Sequence, residues 1–136
     1  DIFSHEDWVP TLMAAAGDSV TLLNFTDEEM AAADAGRELW TPYTIPAGTY
    51  PGQDADVQTI AQPNFLATSA DLPEENVYLI TKAIYENLPF LQAIHPATKA
   101  MAIESAIAGL PLPLHAGAVR YYQEIGVDIP ARLIAE

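Results

Sequence analysis

The chain has 136 residues, half of them hydrophobic, enough to build a real core, and carries 19 acidic against 5 basic side chains for a formal charge of −14. So negative a balance repels nucleic acid and anionic membrane surfaces and leaves no basic patch for phosphate contacts. Cysteine is absent, which excludes disulfides, thiolate chemistry and Cys-based zinc sites and leaves the redox compartment open.

In chain order, Pro10 followed by TLMAAAG predicts a short helix ending at Gly17, with the proline near its first turn and the glycine as C-terminal cap. Val20, Leu22, Leu23 and Phe25 make a short β-prone run. Thr26-Asp27-Glu28-Glu29 then fits a capping box, and a helix of roughly ten residues should follow and fail near Gly36. From Val57 to Thr68 the sequence is apolar and partly alternating; Pro63 cannot donate to a ladder, so an extended segment bent or bulged at Pro63 is expected.

Asp71-Leu72-Pro73-Glu74 is a strong helix start with Asp71 as cap, and Val77, Ile80, Ile84 and Leu88 follow at helical spacing. Leu88-Pro89 should end or kink that helix, with a short turn over Phe90 to Ile94; Pro96 opens another whose apolar positions include Ala100, Ile103 and Ile107 and which Gly109 caps. The PLPL run cannot be helical in its interior, and His115 to Ile125 reads as the last helix, ending at Gly126. The tail after Asp128 is expected to fray. Strands alternating with helices favour α/β with a helix-rich C-terminal half, and with no repeat or Gly/Ser linker one structural unit is the default. No signal peptide and no membrane-spanning apolar run is seen; a start at Asp1 suits a mature or excised chain.

Residues 44–57, TIPAGTYPGQDADV, are the most prescribed stretch. Pro46 and Pro51 fix φ, while Gly48 and Gly52 permit conformations that a Cβ disfavours, so the backbone path is set almost residue by residue. Such a loop either presents backbone amides and the Tyr50 hydroxyl to a partner or is simply a tight connection.

Catalytic chemistry finds little support. His5, His95 and His115 lie outside the HxxxH and HxxE spacings that place two metal ligands on one helix face. His115 reads as a cap or buttress of the last helix, His95 as structural, and His5-Glu6-Asp7 as a solvated turn before a cation site. A GxSxG elbow, a phosphate-cradling glycine loop and a carboxylate pair marked for split pKa values are all missing. An enzyme, a metal site or a cofactor is therefore not expected. The carboxylates are scattered through amphipathic segments, as a solvated surface would have them.

The run TIPAGTYPGQDADV, then VQTIAQPNFLATSADLPEENVYLITKAIYENL, then GLPLPLHAGAVRYYQEIG, resembles the C-terminal part of the TAXI family of TRAP transporter solute receptors, in order and with similar spacing from about Ser19 to Val127. That resemblance implies a periplasmic, non-enzymatic receptor that captures a small organic acid or amino acid and delivers it to membrane permease subunits. It also implies part of a periplasmic binding protein type II-like architecture, two α/β lobes closing on a ligand, for which this chain is too short. Within it, Tyr50 is the expected hydrogen-bond donor or aromatic wall, Thr49 and Gln53 its polar partners, and the Gly48 and Gly52 amides lie close to the ligand.

Residues 1–17, DIFSHEDWVPTLMAAAG, also resemble a segment of the arylsulfatase family. The formylglycine signature of that family is absent, so sulfatase activity is excluded even if the segment has that ancestry. The same residues also align loosely with a receptor segment bordering the cleft, with Asp1, Phe3 and Ser4 standing in. An anionic ligand needs local positive potential, and Lys82, Lys99, Arg37, Arg120 and Arg132 are the only basic side chains; none reads as a carboxylate clamp. A protein-interaction module built on the helices around Val77 and Tyr121, or an inactive remnant, stand as alternatives.

Overall fold

The computed structural model describes residues 5–16 and 19–135. Gly17 and the stand-ins Asp1, Phe3 and Ser4 lie outside them, as do the side chains of His5, Glu6 and Asp7. The chain divides into two compact units, one up to Gln62 and one from Pro63 onward. Mixed helices and one two-stranded sheet are compatible with an α/β fragment.

In the first unit, α1 runs His5–Ala16 with Pro10 inside it. The helix therefore begins more than a turn earlier than Pro10 suggests, and the ring withholds one helical hydrogen bond. Val20 to Phe25 forms no strand. Its backbone ties to the sheet are one bond, Phe25 N to Gln58 O at 2.9 Å, and Asn24 Oδ1 accepting the Gln58 amide at 2.7 Å. The β-prone residues were present, but a strand needs a ladder of such bonds, and the side chain of Asn24 takes the next position.

The capping box forms as expected at α2, Asp27–Asp34. Thr26 Oγ1 accepts the Glu29 amide at 3.2 Å and Glu29 Oε2 accepts the Thr26 amide at 2.8 Å. The bond from the Thr26 amide lowers the Glu29 carboxyl's pKa most, and the Thr26 hydroxyl, donating to the same Oε2 at 3.0 Å, adds to it. Termination comes with Ala35 and Gly36, both at positive φ. Arg37 then donates from Nε and Nη2 to the Asp34 and Ala33 carbonyls at 2.8 and 2.9 Å, setting a cation on the negative end of the helix. The antiparallel strands β1, Thr41–Ile45, and β2, Val57–Ala61, follow, with Ile45 opposite Val57. Pro42 is tolerated because β1 pairs on one side only. Val9, Ile45, Tyr50 and Val57 form the core of this unit, joined by Met13 and Leu22.

The second unit is built on α3, Glu74–Glu86, and α5, Ala116–Glu124, with the short α4, Leu88–Ile94, between them in sequence. Asp71 is not the cap of α3. Pro73 occupies that position, its carbonyl accepting the Asn76 and Val77 amides at 3.0 and 3.3 Å, which leaves Asp71 too far upstream. The buried face is also displaced: Val77 and Thr81 are buried while Ile80 is 45% exposed. Helix α3 carries two apolar stripes, and α5 covers the one through Val77, Thr81 and Tyr85. The helix expected from Pro96 is broken into 3-10 turns at Pro96–Ala100 and Ile103–Ser105, because Ala102 adopts an extended conformation between them.

Helix α5 is seated by its first turn. A Cβ on Gly117 would collide with the Glu74 carbonyl, with the Tyr78 nitrogen at 2.6 Å and with the Val77 Cβ at 2.9 Å, so the backbones of α3 and α5 meet directly there. His115 caps the helix as its position suggests. Nδ1 accepts the Gly117 amide at 3.1 Å, and Nε2 lies 3.0 Å from the Leu72 carbonyl; a ring protonated on Nε2 makes both bonds. Gly126 ends the segment at φ 81°.

The tail after Asp128 is packed, not frayed. Leu133 is 1% exposed, its carbonyl accepts the Leu114 amide at 2.8 Å, and Arg132 Nη1 donates to Leu110 O at 3.0 Å. The reason is hydrophobic: Leu133 reaches a buried site, and Ile129 joins the α3–α5 cluster. Leu133→Ala should therefore lower the unfolding free energy by about 2–4 kcal/mol in urea titrations. Gly117→Ala should cost about 2–3 kcal/mol through overpacking against backbone, where an exposed Gly-to-Ala change elsewhere in a helix stabilises.

Candidate functional site

The register of β1 and β2 leaves residues 46–56 as the loop of a hairpin. Both glycines need the left-handed region, Gly48 at φ 76° and Gly52 at φ 75°, and a Cβ at either would point into open space. Each is therefore required by the turn and not by a close neighbour. The loop closes on itself. Gly48 N donates to Gln53 O at 2.8 Å, Gln53 N to Tyr50 O at 3.1 Å, and Thr49 N to Pro46 O at 3.2 Å. Across its base, Asp56 Oδ1 accepts the Ala47 amide at 2.8 Å.

Two residues expected to meet a ligand lie instead in the underside of this loop. Tyr50 is only 6% exposed, its ring packed with Val9, Ile45 and Val57, so it is a core anchor where a hydrogen-bond donor or aromatic wall was expected. Gln53 is 8% exposed and spends its amide within the loop. Its Nε2 lies 3.1, 3.0 and 3.0 Å from the carbonyls of Ile45, Pro46 and Ala55, and its Oε1 accepts the Tyr50 amide at 3.3 Å. Prolines and glycines announce a shaped loop, but composition does not tell which polar side chain faces inward.

Thr49, Gly48 and Gly52 are exposed on the other side. The Thr49 hydroxyl donates to Pro46 O at 2.6 Å, which leaves its exposed oxygen able to accept. The Gly48 amide is already committed, whereas the Gly52 amide has no partner among the described residues. Sequence reading passed over Asp56, whose position at the end of the loop opposite Ala47 is the signal that it closes the base. It also passed over Asp34, whose carboxylate accepts the Glu38, Leu39 and Trp40 amides at 2.8, 2.8 and 3.0 Å and whose acidity rises through those bonds, Trp40's above all.

Basic side chains are mostly employed locally. Arg37 caps α2 and Arg132 holds Leu110. Arg120 pairs with Glu74 and Glu75 at 3.1 and 2.7 Å and lies over the Tyr78 ring, 3.8 Å from its centroid. Lys82 reaches Glu86 and Glu124 at 3.8 and 3.7 Å and donates to the Tyr78 hydroxyl at 3.3 Å. Lys99 is exposed and makes no ion pair among the described residues. Among those residues, too, no three His, Asp or Glu side chains are grouped to hold a metal ion, and no helix is long and apolar enough to cross a membrane.

Tyr78 and Glu124 tie α3 to α5 by a 2.6 Å bond from the phenol to Oε2, which lowers the Glu124 carboxyl's pKa. Folded Glu124 gives up its proton more readily than the unfolded chain's does. Its contribution is thus complete above the ordinary carboxylate range and is lost as pH falls through the lowered folded value. Tyr78→Phe should be less stable than the parent at pH 7, and the gap should narrow as pH falls below the ordinary carboxylate range and through the lowered Glu124 value, in parallel urea titrations.

A sequence model of the NMT1-like family matches residues 9–126, and the chain belongs to that family. It is a periplasmic binding protein-like family related to the substrate-binding proteins of TRAP and ABC transporters, which gives the chain a solute-binding, transport-related role in general terms. The match takes in the 46–56 loop and the α3–α5 pair, and it begins within α1.

Proposed function

We propose that this member of the NMT1-like family is part of a TRAP-type solute receptor of the TAXI kind, with periplasmic binding protein type II-like lobes, working in the periplasm. It captures a small organic acid or amino acid and hands it to membrane permease subunits. It makes and breaks no bond and uses no cofactor. The observation that carries this reading is the family match across residues 9–126, which includes the hairpin loop. The resemblance to TAXI receptors over Ser19 to Val127 supports the finer assignment.

On this reading the outer face of the loop meets the ligand: the Thr49 hydroxyl as acceptor, the Gly52 amide as donor and the surface around Gly48 as the close approach, with Tyr50 anchoring them from the core. A fixed loop lowers the ordering cost of binding. Closure of a two-lobed receptor would follow from ligand shifting a pre-existing equilibrium. Arg37, Lys82, Arg120 and Arg132 are taken up by their own helices and turns, so this loop supplies hydrogen bonds and shape, and charge neutralisation falls to other parts of the receptor.

A thermal-shift screen of the purified chain against small dicarboxylates, 2-oxoacids and acidic amino acids tests the reading. One class should raise the melting temperature with the logarithm of its concentration above Kd, about 2.7 kcal/mol of linked stability at a hundred times Kd. Thr49→Val should weaken that response while shifting the ligand-free melt little, since its hydroxyl bond is exposed. A cooperative melt that no compound moves would overturn ligand capture by this chain.

A further inference from the structure

Gln53 stands out among the buried polar groups because one side chain satisfies four backbone groups of the same loop. Its Nε2 has two hydrogens for three carbonyls, those of Ile45 at the end of β1, Pro46 at the loop's start and Ala55 near its end. Its Oε1 takes the amide of Tyr50 at the apex. The side chain thus spans the interior of the loop from both stems to the tip. Its own backbone repeats the pattern, with Gln53 O accepting from Gly48 and Gln53 N donating to Tyr50. At 8% exposure these groups have little water to replace a lost partner.

We infer that Gln53 is a positioning residue: it does not touch the ligand but clamps the loop from within, so that Thr49 and the Gly52 amide are presented on a preformed outer surface. The chemistry requires an amide at this position. A group with donors alone abandons the Tyr50 amide, and a carboxylate aims negative charge at three carbonyl oxygens. The ligand-facing part of this inference rests on the solute-receptor reading; the clamp itself does not.

The test is amide hydrogen exchange, read as protection factors, in the parent chain, Gln53→Met and Gln53→Glu. Methionine keeps the length and removes every hydrogen bond. In that variant the Gly48 and Tyr50 amides should lose at least tenfold in protection while strand amides such as those of Tyr43 and Thr59 keep theirs. The Gln53→Glu variant should behave like Gln53→Met at pH 7 and regain protection near pH 4, because a protonated carboxyl again supplies one donor and one acceptor. A residue that merely fills space would show neither this confinement to the loop nor the pH-dependent rescue. Unchanged protection at Gly48 and Tyr50 in both variants would overturn the clamp.

Titrating 2-oxoglutarate and L-glutamate into the same proteins separates the two levels. If either binds the parent, Gln53→Met should weaken it at least tenfold together with the loss of protection. Weakened binding with full protection would overturn the positioning role and make Gln53 a direct contact. If neither compound binds while protection still collapses in Gln53→Met, the clamp stands and the solute-receptor reading loses these two ligands.

Discussion

An unpaired backbone amide or carbonyl out of water costs about 1–3 kcal/mol, and a chain whose described sheet is one pair of strands has few ladders to meet that cost. Here side chains do it. Gln53 fills the hairpin loop, Asp56 closes its base, and Asp34 gathers three amides on the way into β1. In the second unit His115 bridges the start of α5 to Leu72, Thr98 reaches the carbonyls of Leu91 and His95 at 2.8 and 2.6 Å, and Arg132 holds Leu110. Each bond turns an irregular segment into a defined one, and the apolar clusters then have fixed walls to pack against.

The same economy explains the electrostatics. With 5 basic residues against 19 acidic ones, the basic groups are employed where local gain is greatest. Arg37 sits on a helix C-terminus, and Arg120 and Lys82 neutralise carboxylates along the α3–α5 seam while stacking on or bonding Tyr78. These exposed pairs are individually weak and add to the seam's order more than to its stability. What holds the seam is burial of Val77, Ala118, Tyr121 and Tyr122, and desolvation of Tyr122, with the Tyr85 hydroxyl beside it, raises that phenol's pKa. A solute receptor assembled this way relies on shaped backbone more than on charge in the loop described above.

Signals carried by a few consecutive residues were legible. The Thr26 capping box, the positive-φ glycines 36, 48, 52 and 126 and the His115 cap all depend on neighbours within a turn, and the structure has each of them, whereas the extended segment expected from Val57 to Thr68 is a strand only as far as Ala61. What failed involved partners distant in sequence. Val20 to Phe25 is a β-prone run, yet pairing was decided by what lay beside β2. Helix α3 has apolar residues on two faces, and only the docking of α5 at Gly117 selects Val77 and Thr81 over Ile80. The tail after Asp128 looked frayed because nothing local holds it, and Leu133 is held by Leu114.

The candidate site divides along the same line. Sequence by itself determined that residues 46–56 form a shaped loop, since Pro and Gly restrict φ whatever surrounds them, and resemblance over most of the chain pointed to a transport receptor that the family match supports in general terms. It also set the acidity and the lack of thiol chemistry, which are properties of composition. Only the tertiary structure decided that Tyr50 and Gln53 face inward while Thr49 and Gly52 face out. A polar side chain's direction depends on which carbonyls and apolar groups come within reach once β1 and β2 are paired, and that is a property of the folded backbone, not of the loop's residues taken in order.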